Sequence, residues 1–403
     1  MNILLSAYAC EPDKGSEPGV GWTWAVELAK YNQVWVITRD NNESTITKYF
    51  KEHPNYRNNS LHFIFVGLPP KLTFWKKGRR GMRLYYLIWQ NKAAKIAKIW
   101  HKKVHFDLVQ HVTFVSYTQV SYMYRLNIPM IWGPIAGGEN IPKGIHLNLS
   151  TKEKAIEIIR KISQKILLLS PSIRRTMKHA KLILVATEET KMKIPKKYKE
   201  KIMLLPAIGL EQLPVIRDKK QQSEKIKIVM AGRLIYWKAF DIGINAFLEI
   251  ADKHPDVELH ILGEGNQKEK LKISSGKYLN RQIFFEDSIQ HDQIYDFFNG
   301  YDLFLNTSLR DSGCMTMMEA MGSGVPCIAI ATGGPKILLS NFTNCMIFPT
   351  NYDDCIKQTA EKLEDFIINE TMRIQVADAQ LTYARNTFTI ENKIKNLKAF
   401  YIR

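Results

Sequence analysis

Short uninterrupted apolar runs alternate along this chain with longer stretches in which apolar residues recur every three or four positions. In the first half the runs NILLSAYA, QVWVITRD, LHFIFVGLP, FDLVQHVT, PMIWGPIAG, KLILVATEET and KIMLLPAIG have the length and continuous hydrophobicity of strands buried on both faces. Segments of helical period such as GVGWTWAVELAKY separate them. The second half repeats the theme with IKIVMAGR, VELHILGEG, QIFFED, YDLFLNTS, VPCIAIATGG and NCMIFPT. Strands alternating with helices predict parallel sheets covered by helices on both sides. Between the halves LEQLPVIRDKKQQSE is polar, contains Pro214 and has no apolar period, which predicts a linker around 206–225. A chain of 403 residues exceeds one ordinary core. The reading is therefore two α/β domains, 1–205 and 206–385, with a terminal helix at 386–403. That helix sets Ile390, Ile394, Leu397 and Tyr401 on one face, and the seam between the domains is the expected place for it to pack.

In such sheets ligands bind beyond the carboxyl ends of the strands, so the residues just after each run carry the most information. After IKIVMAGR come Arg233 and Lys238, ahead of the helical pattern AFDIGINAFLEI. A planar guanidinium and a mobile ammonium before a helix N-terminus suit a diphosphate; a surface pair answering nearby acids is the plainer alternative. After YDLFLNTS comes LRDSGCMTMMEAMGSGVP. Gly313 argues against one continuous helix there, because Asp, Ser and Gly are loop and cap residues. The helix is expected to start near Cys314 or Met315, with Asp311 in the loop before it and Glu319 one turn inside. Free amides at that end favour an anion. On one reading the two carboxylates serve a ligand that is anionic and rich in hydroxyls; on the other Asp311 only caps the helix and Glu319 is a solvated face residue. The first strand is followed by CEPDKGSEPGVGW, with Gly15, Gly19 and Gly21 leading into a helix. Such a loop lets amides approach a phosphate or sugar, but its spacing is neither G-x-G-x-x-G nor a P-loop. His111 ends the run FDLVQH, where a lone histidine is more often structural than catalytic, and Glu139 follows the glycine-rich turn WGPIAGG, where spacing alone gives it no role.

Charge and cysteine content narrow the partners. Five cysteines, odd in number and without metal-ligand spacing, point away from a disulfide framework or zinc site and toward a reducing cytoplasm. No apolar run reaches the roughly 18 residues that span a bilayer, and the opening MNILLSAYAC lacks the basic n-region of a secretion signal and reads as a first strand. The net charge of +18 is unevenly spread: residues 71–103 hold eleven Lys or Arg and no acid, interleaved with Trp, Tyr, Leu and Ile. That segment fits an amphipathic helix on an anionic membrane surface. Nucleic acid is the competing partner, and a solvated basic helix whose apolar side is core is the third reading.

Taken together, these residues resemble the family 4 retaining glycosyltransferases, whose GT-B fold has two facing Rossmann-like domains with parallel sheets and a cleft between them. The resemblance spans essentially the whole chain. Its most specific part is the E-x7-E element, here DSGCMTMME, followed by AMGSGVPCIAIATGG; GRLIYWKAFD matches the family's G-R-L…K-G element. The resemblance implies that Arg233 and Lys238 bind the donor's diphosphate, that Glu319 binds its ribose, and that amides at Gly313, Cys314, Met315 and Thr316 approach phosphate. It also makes Gly15, Ser16 and Glu17 part of the catalytic cleft and sets His111 near the transferred sugar, with Asp311, Glu17 and His111 positioning that sugar. Two departures stand out: Asp311 replaces the first Glu, one methylene shorter, and Ala239 stands where Gly commonly follows the Lys.

The activity so implied is transfer from a nucleoside diphosphate sugar, expected to be a UDP-sugar, with retention and without metal or cofactor. Closure of the domains would exclude water. The elements GSEPGVGW, WGPIAGG and RDSG resemble a bacterial branch active in surface polysaccharide assembly. That implies a lipid-linked saccharide acceptor at the cytoplasmic face, with segment 71–103 docking the first domain on anionic lipid and no nucleic acid partner. The competing readings are a GT-B epimerase or inverting transferase, a basic RNA-binding protein, and an inactive scaffold.

Overall fold

The structure is a computed structural model that describes residues 1–401 apart from 57, 77, 79, 80, 207, 208, 211–224, 288, 291 and 292. Most of the expected linker at 206–225 therefore lies outside the described residues, as do Lys77, Arg79 and Arg80 of the basic segment. The chain divides into two compact units, Met1–Gly138 with Ala155–Ala207 and Ile390–Arg403, and Glu139–Lys154 with Ile208–Thr389. Residues 139–154, which the sequence places inside the first domain, thus fold with the second.

In the first unit each apolar run forms a strand: β1 Asn2–Ser6, β2 Gln33–Arg39, β3 Leu61–Val66, β4 Leu108–His111, β5 Met130–Ile135, β6 Leu182–Val185 and β7 Ile202–Leu204. They pair in the order β3-β2-β1-β4-β5-β6-β7, all parallel. β4, β5 and β6 are buried along their whole length, as a sheet covered on both faces requires. The helices of this unit are α1 Ser16–Ala29, α2 Glu43–Glu52, α3 Met82–Val104, α4 Thr151–Leu168, α5 Pro171–His179 and α6 Glu188–Lys193; the first turn of α4 belongs to the second unit. The basic segment proves to be mostly α3, which buries Tyr86, Trp89, Ala93, Ala94 and Ala97 in the core formed by β1, β4 and β5. Its aromatic face is therefore core, although Leu84, Leu87, Ile99 and the preceding Phe74, 79% exposed, remain at the surface.

The second unit holds β8 Ile226–Ala231, β9 Val257–Leu262, β10 Ile283–Glu286, β11 Leu303–Asn306, β12 Cys327–Ile330 and β13 Met346–Ile347, in the parallel order β10-β9-β8-β11-β12-β13. Around them lie α7 Phe240–Ile250, α8 Lys268–Ser274, α9 Ile294–Phe298, α10 Met315–Gly322, α11 Gly333–Leu338, α12 Tyr352–Ile368 and α13 Glu370–Thr387. Capping starts the last two: the Asn351 side chain accepts the Asp354 amide hydrogen and that of Asn369 accepts the Met372 amide hydrogen. The segment 139–154 is anchored by Ile145, buried among Ala239, Ile242, Leu309, Ile330 and Ile347, and by Gln267 Nε2 donating to Glu153 Oε1 at 2.9 Å. The chain ends in two short helices rather than one, α14 Ile390–Asn396 and α15 Lys398–Tyr401. Ile390, Ile394, Leu397 and Tyr401 are all buried, α14 packs on α1, and Tyr401 Oη donates to Gln110 Oε1 at 2.6 Å.

Candidate functional site

Strand order locates the candidate residues. In the second unit successive strands run outward in opposite directions from β8 and β11, which are neighbours. That reversal opens a crevice at the carboxyl ends of these two strands. Arg233 and Lys238 follow β8, and Asp311 to Thr316 follow β11, so the two stretches meet there although 73 residues separate Lys238 from Asp311. In the first unit the reversal falls between β1 and β4; Gly15, Ser16 and Glu17 follow the one, and His111 is the last residue of the other. The expected site residues thus form two groups, one in each unit, each at its own switch point.

The second-unit group is built around an ion pair. Lys238 Nζ donates to Asp311 Oδ2, while Asp311 Oδ1 accepts the amide hydrogens of Gly313 at 3.2 Å and Cys314 at 3.3 Å. Burial alone would lower the lysine's pKa, but the Asp311 carboxylate beside it outweighs burial and raises it above the usual value. Burial would likewise raise the Asp311 carboxyl; Lys238, together with hydrogen bonds from Cys314 and Gly313, holds it below the usual range. Both groups are therefore charged at neutral pH. Arg233 stands near enough to oppose the lysine's charge.

The loops that carry these groups are tied together. Ala239 adopts a left-handed conformation, φ 47° and ψ 44°, so the turn that usually takes Gly forms here with an alanine whose methyl is buried. Thr307 Oγ1 donates to the Ala239 carbonyl at 2.8 Å, the Leu309 amide donates to the Trp237 carbonyl at 3.0 Å, and the Arg310 guanidinium lies over the Trp237 ring at 4.4 Å. Two glycines bring the exits of β8 and β9 into contact: a Cβ on Gly263 would stand 1.8 Å from the Gly232 carbonyl oxygen, and one on Gly265 2.1 Å from that of Leu234.

α10 begins where the sequence expects, at Met315, with Cys314 as a left-handed cap. Thr316 Oγ1 donates to the Ala231 carbonyl at 3.3 Å, which points the helix N-terminus at the end of β8. Glu319 is not a solvated face residue; it is 3% exposed among Met317, Met318 and Ala320. Glu139 joins the group by a route the sequence did not disclose. It is buried, and its Cγ lies 3.2 Å from where a Cβ on Gly333 would stand, while the Asp311 carbonyl oxygen is 2.2 Å from that same point. Gly333, with φ +44°, is therefore what allows Asp311, Glu139 and the start of α11 to converge. Two cations, three carboxylates and a helix N-terminus suit a ligand that is anionic at one end and hydroxylated at the other. A cavity of about 330 Å³ lies beside the Tyr236 turn, lined by His146, Leu149, Asp241 and Tyr352 among others.

The first-unit group has a different character. The glycine-rich loop is shorter than expected: α1 starts at Ser16, so Gly19 and Gly21 lie inside it. Gly21 is where the helix crosses the exit of β1, since a Cβ there would meet the Ala9 carbonyl oxygen at 2.1 Å. Glu17 Oε1 accepts the Val115 amide hydrogen at 2.9 Å, and burial pushes its carboxyl up. This acid therefore holds the loop after β4, where Phe114 is left-handed at φ 63°. His111 is wholly covered, with Tyr86 Oη 3.4 Å from its Nε2, and burial pushes its imidazole down to about 3; it is neutral at physiological pH. Around it Tyr86 stacks on Phe114 with ring centroids 4.2 Å apart. Tyr8 packs edge-on against both and carries the Arg39 guanidinium 4.5 Å above its own ring. Sequence reasoning missed Tyr8, Arg39 and Tyr86; Tyr8 follows β1 and Arg39 ends β2, and that placement alone could have drawn notice.

Comparison with known proteins agrees with this architecture. Residues 214–381 match the family model described as glycosyl transferases group 1. The chain is 24% identical over 202 residues to an uncharacterized glycosyltransferase of Methanocaldococcus jannaschii, covering 49% of this chain and 51% of that protein. It is 27% identical over 188 residues to the UDP-N-acetylglucosamine–peptide N-acetylglucosaminyltransferase GtfA subunit of Streptococcus parasanguinis, covering 45% and 35%. The chain thus spans about half or less of the length of these relatives. Among solved structures, sucrose-phosphate synthase from Thermosynechococcus elongatus superposes with a TM-score of 0.67 at 15% identity, covering 99% of this chain and 98% of that one. Residues 214–381, which hold Arg233, Lys238, Asp311 and Glu319, therefore match glycosyl transferases group 1, and the whole chain has the GT-B fold.

Proposed function

We propose that this protein is a retaining, metal-independent glycosyltransferase. It moves a sugar from a nucleoside diphosphate sugar, in our reading a UDP-sugar, to a lipid-linked saccharide during bacterial surface-polysaccharide assembly. It works as a peripheral protein on the cytoplasmic face of the membrane. The observation that carries this reading is the Lys238–Asp311 pair beside Arg233, held at the crevice between β8 and β11 in front of the α10 N-terminus. UDP as the donor's nucleotide draws support from the name of the streptococcal GtfA relative.

In this mechanism Arg233 and Lys238 neutralise the diphosphate as the bond from the anomeric carbon to its phosphate oxygen breaks, which is where preorganised cations act most strongly. The acceptor hydroxyl attacks from the face the diphosphate leaves, forming the new C–O bond with retention, and its proton passes to the departing phosphate oxygen. Asp311 keeps Lys238 charged and in place, Glu319 receives the ribose hydroxyls, and Glu139, which approaches Gly333 beside the Asp311 carbonyl, accepts hydroxyls of the sugar. Glu17 and the neutral His111 shape the side that meets sugar and acceptor. The test is thermal stabilisation by UDP, GDP, ADP and their sugars, followed by assignment of the product's anomeric configuration in the presence of EDTA. One nucleotide should raise the melting temperature, and Arg233→Ala and Lys238→Ala should abolish the shift. No shift with any nucleotide, beside a shift with RNA, would overturn the reading, as would an inverted product or loss of activity in EDTA.

A further inference from the structure

α4 turns its isoleucines to the surface, although Leu167 and Leu168 at its end pack against the core of the first unit. Its buried side carries Glu157, Arg160 and Gln164: Glu157 is buried and bonded to Arg160 Nε at 3.2 Å, and Gln164 Nε2 donates to the Gly137 carbonyl at 2.9 Å. Its apolar side faces outward. Ile158, Ile159, Ile162 and Ile166, with Leu169 just past the helix end, are each between 53% and 65% exposed, and at 100° per residue the four isoleucines fall within a single arc of about 100°. Exposed lysines border that arc on both edges, Lys154, Lys161 and Lys165 on one side and Lys152 on the other, while Glu153 and Glu157 lie on the opposite face. Single exposed aliphatic residues are ordinary, but a contiguous stripe of four marks an interaction surface.

We propose that α4 is the membrane-docking element of this protein, with its isoleucine stripe seated in the acyl boundary of an anionic lipid surface and its lysines on the headgroups. The inference rests on the peripheral association proposed above and moves its site from segment 71–103 to this helix. Charge selects the occupant. Lysine stems that flank an apolar stripe can lie along the hydrocarbon boundary while their ammonium groups reach anionic headgroups, in keeping with the net charge of +18. A second copy of the chain is a poorer fit, because a two-fold contact through this stripe brings the same lysine rows together. In α3, by contrast, the large aromatics Tyr86 and Trp89 are spent on the core.

The experiment is flotation of the full chain with phosphatidylcholine vesicles with and without phosphatidylglycerol. The wild type should float with the anionic vesicles only. Ile159→Ser/Ile162→Ser/Ile166→Ser should lower the bound fraction at least about tenfold while keeping the wild-type melting temperature, and Lys154→Gln/Lys161→Gln/Lys165→Gln should make the remaining binding weak and insensitive to salt. A second readout covers loss of fold in the serine variant. All five native cysteines are buried, so Ile162→Cys can be labelled selectively with an environment-sensitive fluorophore, and its emission should shift to the blue on anionic vesicles. A wild type that floats equally well when the stripe is replaced, with an unshifted label, would overturn the assignment to α4 while leaving membrane association standing. A wild type that never floats would overturn both, and a dimer that the serine variant turns into a monomer would assign the stripe to a second copy instead.

Discussion

At the scale of single residues, the second-unit site turns on how Lys238 and Asp311 satisfy one another. Their side chains are only 16% and 14% exposed, so removing one partner leaves the other charged and nearly dry. Lys238→Ala is expected to cost about 3–5 kcal/mol, whereas Lys238→Met combined with Asp311→Asn should cost much less, since neither buried charge remains. Both variants should lose nucleotide binding; thermal melting of the two separates the structural debt from the functional one, and equal melting temperatures would show that the pair is not coupled. His111 gives a prediction in pH. Its folded value of about 3 lies below the unfolded value near 6.5. Below pH 6.5 the unfolded chain binds a proton that the folded chain refuses, so stability falls with falling pH by about 1.4 kcal/mol per unit until the imidazole protonates near pH 3. His111→Gln should remove that slope, and its melting temperature should drop less than that of the wild type between pH 7 and pH 4.5. An unchanged slope would show that His111 is solvated and ionisable in the fold.

At the scale of elements, local pattern and long-range packing part company. Every strand was legible, because four to eight consecutive apolar residues between turn-forming residues leave a parallel, doubly covered strand as the natural reading. The start of α10 was equally legible from Gly313 and the capping residues before it. What packs on what was not. The 3.6-residue period of α4 is the same whether its isoleucines face a core or a solvent, and only the tertiary fold shows that Glu157 and Gln164 turn inward. Likewise the pairing of Lys238 with Asp311, and the arrival of Glu139 beside Gly333, depend on strand order, which no local window encodes. The glycines of VELHILGEG belong to this class: nothing in the run itself requires them, but a Cβ on Gly265 would strike the Leu234 carbonyl oxygen. Gly265→Ala should therefore displace the segment leading to Lys238, costing about 3 kcal/mol and weakening the nucleotide-induced melting shift. Gly300→Ala, whose Cβ would approach only the Phe297 carbonyl at an ordinary 3.4 Å, should stay within about 0.5 kcal/mol of the wild type. Similar melting curves for the two alanine variants would mean that β8 and β9 separate more easily than their contact suggests.

At the scale of the whole molecule, each unit has its own sheet and its own hydrophobic core, one built on β1, β4 and β5 and the other on β8, β9 and β11. Two such cores can melt separately, and the distribution of tryptophan makes that observable. Of the eight tryptophans, Trp22, Trp24, Trp35, Trp75, Trp89, Trp100 and Trp132 belong to the first unit and Trp237 alone to the second. Tryptophan fluorescence therefore follows almost only the first unit, whereas circular dichroism and calorimetry follow both. All the proposed diphosphate and ribose contacts, Arg233, Lys238 and Glu319, lie in the second unit. A nucleotide at a hundred times its dissociation constant adds about 2.7 kcal/mol to the unit that binds it, or about 5–10 °C for a unit of this size. Saturating nucleotide should thus raise a transition seen by calorimetry and leave the fluorescence transition where it was, apart from a change in the small Trp237 signal before melting, since that ring precedes Lys238 and stacks under Arg310. In Trp237→Phe the early change should vanish while the calorimetric shift survives. A fluorescence transition that moves in step with the calorimetric one would instead show that nucleotide bound to the second unit also stabilises the first, and that the two cores unfold as one.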